Sequence, residues 1–357
     1  MLRSNVLRGL PIVFLTAACA TGGGPNLTRP PSAQHQLLLE LPCRGGVALA
    51  PDGTLVATSN GWALELRAVP GGVKRARHEL RLGADAPTGV VLAWSPDGRF
   101  VAASARGETS VLIVDVQDGS ERRADLAHGR ASALAFARGS GELAIGTDEG
   151  WIERVDVATA AARGAHELAR RAANGPLGVA FLGFAADDRI LLASSARGGV
   201  AALDPARFGS NGAETVIWRR DDDRPLALDS AGKRLLTAGI DRAEARVLDL
   251  ADPRVPNVLV TLSDPAGTGT PEFAAWCGGT DRFAVAFTRS FVLTRWLDAE
   301  FFALAPENGT LRAEHVGGVR IGAPWTLAGD ASGRWLAIGA PDGAVVYDAS
   351  AWFEGAR

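Results

Sequence analysis

Chemistry in this chain would have to come from a small set of groups: five histidines, three cysteines and one dense run of charge, Arg219-Arg220-Asp221-Asp222-Asp223-Arg224. Three adjacent carboxylates could in principle hold a calcium ion. A calcium loop, however, interleaves its acids with spacers and a Gly at the sharp turn, and this run has neither. It reads instead as a self-neutralised, solvated loop. His35, His78, His128, His166 and His315 are scattered singly, and a metal needs three or more convergent ligands. The expectation is no catalytic residue, no metal and no cofactor. The formal net charge of −3, from 37 Lys and Arg against 40 Asp and Glu, leaves no basic stripe for nucleic acid.

The elements that position these groups are short strands. Val90–Trp94 is an apolar run that stops at Ser95-Pro96-Asp97-Gly98, a turn with Pro second and Gly last. Arg99–Ser104 is small and β-branched, as a strand buried on both faces should be, and Val111–Val116 runs out at the Asp118-Gly119 turn. Three antiparallel strands cannot bury their own faces, so the unit needs neighbours of its kind. Copies aligned on Gly53, Gly98, Gly141, Asp188, Gly232, Asp281 and Gly333 supply them, 43 to 52 residues apart. In five copies an Asp closes the third strand: Asp115, Asp156, Asp204, Asp249 and Asp348. A fourth strand follows in all but the last copy, which ends after its third. The segment His35–Leu41 precedes the first copy and can serve as the missing strand, closing a ring and removing its open edges. The expected fold is all-β: a single seven-bladed β-propeller of four-stranded antiparallel blades over residues 35–352, closed by an N-terminal strand, with a short tail at 353–357.

The strand ends LIVDV, ERVDV and RVLDL, the intact SPDG turn and the segment LAHGRASALAFA are similar to WD40-type β-propellers, over Gln34 to about Trp352. The resemblance implies a His, Ser/Thr, Asp and Trp tetrad in strong blades. The third copy keeps His128, Thr147 and Asp148 but has Val155 in place of Trp, so these residues should brace the blade. It also places His35, His78, His166 and His315 in or beside outermost strands, away from the axial channel. Propeller enzymes similar to lactonases or metallo-hydrolases gather His, Glu and Asp at that channel; the alternative reading is a ligand-binding or enzymatic propeller of the lactonase or quinone-cofactor type that uses it. Cys43 and Cys277 would enter from opposite faces, too far apart for a disulfide, which needs alpha carbons within about 7 Å.

Ahead of the repeats, Met1–Ala18 carries Arg3 and Arg8 and then ten apolar or small residues, Gly9–Ala18. Such a helix rises only about 15 Å, half of a bilayer core, so it reads as a signal peptide, not a span. Leu15-Thr16-Ala17-Ala18-Cys19 resembles a bacterial lipobox, which implies lipidation at Cys19 and residues 19–34 as a flexible tether. The expected address is the cell envelope, with the outer membrane favoured and the body in the periplasm or outside.

The sixth copy departs from the pattern. Its third strand is either Val292–Leu297 or Glu300–Ala305, and the strand–turn–strand form of FFALAPENGTLR favours the second. The second strand would then be prolonged into a hairpin with Trp296, Phe301 and Phe302 near its end. Loops that enter the blades, and those joining second to third strands, share one face. That face should gather Asp148, Arg170, Arg171, Arg219, Arg220, Asp222, Trp296, Phe301 and Phe302 as a partner-binding surface, since aromatic and Arg groups are the common anchors of interfaces. The function expected is a membrane-tethered, non-enzymatic module with a monomeric body, binding or scaffolding envelope proteins.

Overall fold

A computed structural model describes residues 37–353, apart from 44–45, 61, 81–89, 106–107, 169–177, 210–214, 241–242, 268, 280, 292–293, 308–309, 322–325 and 341–342. The proposed lipidation site Cys19, His35 and the Arg170-Arg171 pair lie outside the described residues.

Seven four-stranded antiparallel sheets stand around an axis. Blade 2 shows the plan: inner strand Val90–Trp94, second strand Phe100–Ala105, third strand Ser110–Asp115 and outer strand Glu121–Asp125, hydrogen-bonded in that order. Inner and third strands run toward one face, called here the turn face. Second and outer strands return to the other, the loop face. The phase of each copy is fixed by its turn. Gly53, Gly98, Gly232 and Gly333 all take φ between 64° and 75°, which glycine adopts without strain. In the third copy that place belongs to Ser140 (φ 55°), one residue before the expected Gly141. The sixth copy's equivalent, residue 280, precedes the expected Asp281 and is outside the described residues.

No single central core exists. Buried apolar side chains form seven separate wedges, one at each junction between neighbouring blades. Each sheet is therefore covered on both sides, and Phe100–Ala105 is buried at every position. Near the axis the wedges narrow. At one level of the inner strands the residues are Ala48, Ala93, Ala135, Gly183, Ala227, Ala275 and Ala328, opposite Ala57, Ala102, Ala144, Leu192, Leu236, Ala284 and Ala337 of the second strands. Only small groups fit where seven strands converge.

The ring closes as the pattern requires. Leu37–Leu41 is the outer strand of blade 7 and pairs antiparallel with Gly343–Asp348, Leu37 opposite Tyr347 and Leu41 opposite Ala344. A short helix, Ser350–Phe353, then tucks Trp352 against Phe301 with ring centroids 4.0 Å apart. Cys43 and Cys277 are buried thiols in the wedges between blades 7 and 1 and between blades 6 and 7.

Blade 6 is the odd one. Its strands Arg282–Phe291, Thr294–Glu307 and Thr310–Ile321 run 10, 14 and 12 residues. The two alternatives for its third strand are halves of one long strand, and the second strand is prolonged as expected. Among the described residues, no helix is long and apolar enough to cross a membrane.

Candidate functional site

The residues expected to share a partner-binding surface on the loop face are redistributed by the structure. Arg219 and Arg220 end the outer strand of blade 4, Asp221 and Asp222 make the connection, and Asp223 already begins the inner strand of blade 5. The charge run is thus not a uniformly solvated loop. Asp223 is fully buried, with Arg220 Nε at 2.9 Å and Arg246 Nη1 at 2.9 Å. Burial works against the charge on Arg246, yet Asp223, Asp222 and Glu244 together raise its pKa. Arg219 and Asp222 remain exposed, and Asp222 lies 3.4 Å from Arg246.

Phe301 and Phe302 are corrected. They are 0 % and 3 % exposed and cannot be surface anchors. The last pair of the hairpin is Phe291 with Thr294, so Phe301 and Phe302 sit well inside the blade, opposite Ala284 and Phe283. Consecutive side chains of a strand point to opposite faces. Phe301 therefore enters the wedge toward blade 7, while Phe302 stacks on Phe283 toward blade 5. In a blade both faces are interior. Trp296 pairs through its backbone with Arg289 on the extended part of the hairpin, at the loop face.

What roots that extension is a cluster absent from the expectations. Arg289 donates to Asp264 (Nε–Oδ2 3.0 Å), to Glu300 (2.7 Å) and to Asp298, and His315 Nε2 lies 2.8 Å from Glu300. All three carboxylates are nearly buried. Burial pushes the Asp264 pKa up, but Arg289 and the N–H groups of Ala266 and Gly269 outweigh it and hold it below the usual value. Arg289 in turn is pushed up, led by its bond to Asp264. A charge in a strand buried on both faces needs a partner, and Glu300 inside the expected strand Glu300–Ala305 carried that signal.

In blade 3, Asp148 is exposed and accepts from Arg130 N at 2.8 Å, and Thr147 Oγ1 accepts from Trp151 N at 3.1 Å. His128 stacks on Trp151 at 4.0 Å, and its Nδ1 lies 3.2 Å from Glu153. These residues brace the blade, with Glu153 instead of Asp148 as the carboxylate under the imidazole.

Asp148, Arg219, Asp222 and the Trp296 backbone thus share the loop face, on which the axial channel also opens. The mouth is a recess of about 730 Å³ lined by Val91, Leu92, Phe181, Leu226 and Phe273 among others, each half-buried. At the turn face a second cavity, of about 560 Å³, takes in the small-residue belt together with Arg138 and Asp229. Arg138 reaches across blade 4 to the carbonyl of Ser230 in blade 5. Burial lowers its pKa and raises that of Asp229. Among the described residues, no group of three or more His, Cys, Asp or Glu is arranged to hold a metal.

The same ring occurs in solved structures. The β-propeller domain of Cps50 (Swd1) from Myceliophteria thermophila is 15% identical, with a TM-score of 0.63 over 91% of this chain and 99% of that one. A chain of the mitotic checkpoint complex is 16% identical, with a TM-score of 0.64 over 97% and 98%. This is the WD40-like fold. At such identities the likeness is one of architecture. No protein-family description matches the sequence, and no curated protein does.

Proposed function

We propose that this chain is a lipid-anchored, non-enzymatic propeller that binds protein partners in the bacterial envelope through its loop face. The observation that supports this most is the loop-face recess. An apolar hollow walled by Phe181, Leu226 and Phe273 opens on the same face that carries the exposed polar groups Asp148, Arg219 and Asp222, and apolar surface beside polar surface is the make-up of a recognition face. Function on such rings lives in what the rigid scaffold presents, not in the fold. The anchor follows from the apolar leader ending in Ala17-Ala18-Cys19. The two solved propellers that share the fold come from protein assemblies in one case and a domain of a larger protein in the other, and they lend the architecture only.

The test is crosslinking capture from envelope fractions, comparing the natural chain with Ala180→Arg. Ala180 is an exposed wall residue of the recess, so the substitution fills the hollow without removing core. Capture should fall at least tenfold with an unchanged melting point. Undiminished capture would remove the recess from the reading. Both cavities also fall in the size range of small-ligand sites, roughly 300–1,000 Å³. Native mass spectrometry on the same preparations covers the ligand-binding alternative, which a bound small molecule would favour.

A further inference from the structure

The chain leaves the ring on a definite side. Leu37 lies opposite Tyr347, near the end of the third strand of blade 7, and Leu41 lies opposite Ala344, near its start. That strand ends at Asp348 on the turn face, so the segment ahead of Leu37 departs from that face. Cys19 to Gln36 is 18 residues. If these residues form the tether expected from the sequence, their root-mean-square reach is about 24 Å, close to the height of the ring, whose six-residue strands rise about 20 Å. On the lipid-anchored reading, an anchor at Cys19 would meet the turn face directly. It would meet the loop face only by spanning the whole height of the ring along its outside.

A second observation points the same way. Among the described residues, seven large apolar side chains are exposed: Trp62, Val73, Val216, Ile217, Ile240, Val255 and Val258. Trp62 and Ile240 lie on the loop face, between second and third strands. The other five lie where third strands turn into outer strands, at the rim of the turn face: Val73 in blade 1, Val216 and Ile217 in blade 4, Val255 and Val258 in blade 5. Val73 and Val255 are the most exposed, at 59 % and 61 %. Each has an exposed cation near it, Arg75 two residues after Val73 and Arg254 before Val255, while Lys74 is held by Glu65 at 2.8 Å. An aliphatic tip beside a cation suits the boundary of a lipid layer, the one entering the acyl edge and the other meeting phosphate.

Resting on the lipid-anchored reading, we propose that the turn face is the membrane-facing side of the ring. Its partner is the surface of a phospholipid bilayer, touched by Val73, Val255 and Val258, and the loop-face recess opens away from it. The propeller would then be a platform that lies on its turns and presents its loops.

The experiment uses the full lipidated chain in vesicles of phosphatidylethanolamine and phosphatidylglycerol. Fluorophores are placed singly by Val73→Cys, Val255→Cys, Trp62→Cys and Ile240→Cys, all at exposed positions. The natural thiols interfere little: burial pushes the Cys277 thiol up to about 12, and Cys43 is equally enclosed. Quenching by a nitroxide carried on the lipid headgroup reads proximity, and flotation with the vesicles reads anchoring independently. The proposal expects quenching several-fold stronger at positions 73 and 255 than at 62 and 240. Flotation with equal or reversed quenching overturns the orientation and leaves the anchor standing. A chain that does not float, with Cys19 unmodified by mass spectrometry, removes the anchor and this orientation together.

Discussion

The two ends of the ring are fastened by different means. At the turn face, neighbouring blades are joined backbone to backbone. Gly278 N donates to Asp330 O (3.1 Å), Gly279 N to Ala331 O (3.2 Å), Ala331 N to Pro51 O (3.0 Å) and Ala186 N to Gly232 O (3.1 Å). At the loop face the fastenings described above are side chains and charges: Asp223 with Arg220 and Arg246, and Arg289 with its three carboxylates. Backbone ties depend on close approach and on glycine. Charge clusters depend on protonation and on every member being present, because a buried ion without its partner is strongly unfavourable. Neither means is exclusive, since Arg138 reaches Ser230 at the turn face and Ala131 N donates to Glu108 O (3.3 Å) at the loop face, but shape weighs more at one end and charge balance at the other.

The largest effect should come from upsetting that balance. Arg289→Met removes the cation shared by the nearly buried Asp264, Asp298 and Glu300, leaving three carboxylates close together, and should cost about 3–5 kcal/mol in urea denaturation. A loss below 1 kcal/mol would mean that water replaces the guanidinium and that the loop face is not held by charge. At the turn face, Gly278→Ala should cost about 1–3 kcal/mol. Gly278 has φ +85°, and a Cβ there would lie 2.6 Å from the backbone of Gly333. An unchanged melting temperature would show the belt to be slack.

Acid should separate the two ends. Asp264 has a folded pKa below its ordinary 3.8, so its contribution is complete above that value and is lost as pH falls through the lower folded one. Asp229 behaves oppositely. Burial raises its pKa above 3.8, so its favourable contribution is complete below that value and disappears as pH rises through the folded one. Hydrogen exchange, corrected for intrinsic rates and followed downward from neutral pH, should show the Ala266 and Gly269 amides losing protection. Those of Lys233 and Arg234, which donate to Asp229, should keep theirs. Loss at both ends in step would break the contrast. The smallest effect belongs to Asp222→Asn. Its carboxylate is two-thirds exposed and only grazes Arg246, so the change should stay within about 0.5 kcal/mol by thermal denaturation.

The ring was legible in the sequence because its signals are local. Pro96 and Gly98 set a turn within four residues, and alternating apolar runs set strands on either side. Even so, Ser140 in place of Gly141 slipped by one, because a polar residue can occupy the left-handed position that Gly usually marks. The surface was less legible, for two reasons. Phe301 and Phe302 form an aromatic pair whose members point opposite ways, and in a sheet covered on both faces neither direction leads outward. Asp223 looked solvated among its charged neighbours. Its burial depends on Arg246, from a strand beyond the next one, and no spacing within the run announces that pairing.

Closure by Leu37–Leu41 also bears on how the molecule is made. Leu37 finds Tyr347 across roughly 310 positions of chain, the longest separation the ring demands. Loop closure over that length costs on the order of 5 kcal/mol in chain entropy before any new bond compensates. Six blades can assemble as their residues emerge. The seventh must wait for the last strand to be synthesised and then capture the first one, so the folding rate should be set by this final event. Until then both margins of the arc stay open to strands from other molecules. A cut in a surface loop of the finished ring should leave the two pieces associated, because the sheet of blade 7 joins the first described strand, Leu37–Leu41, to the last three.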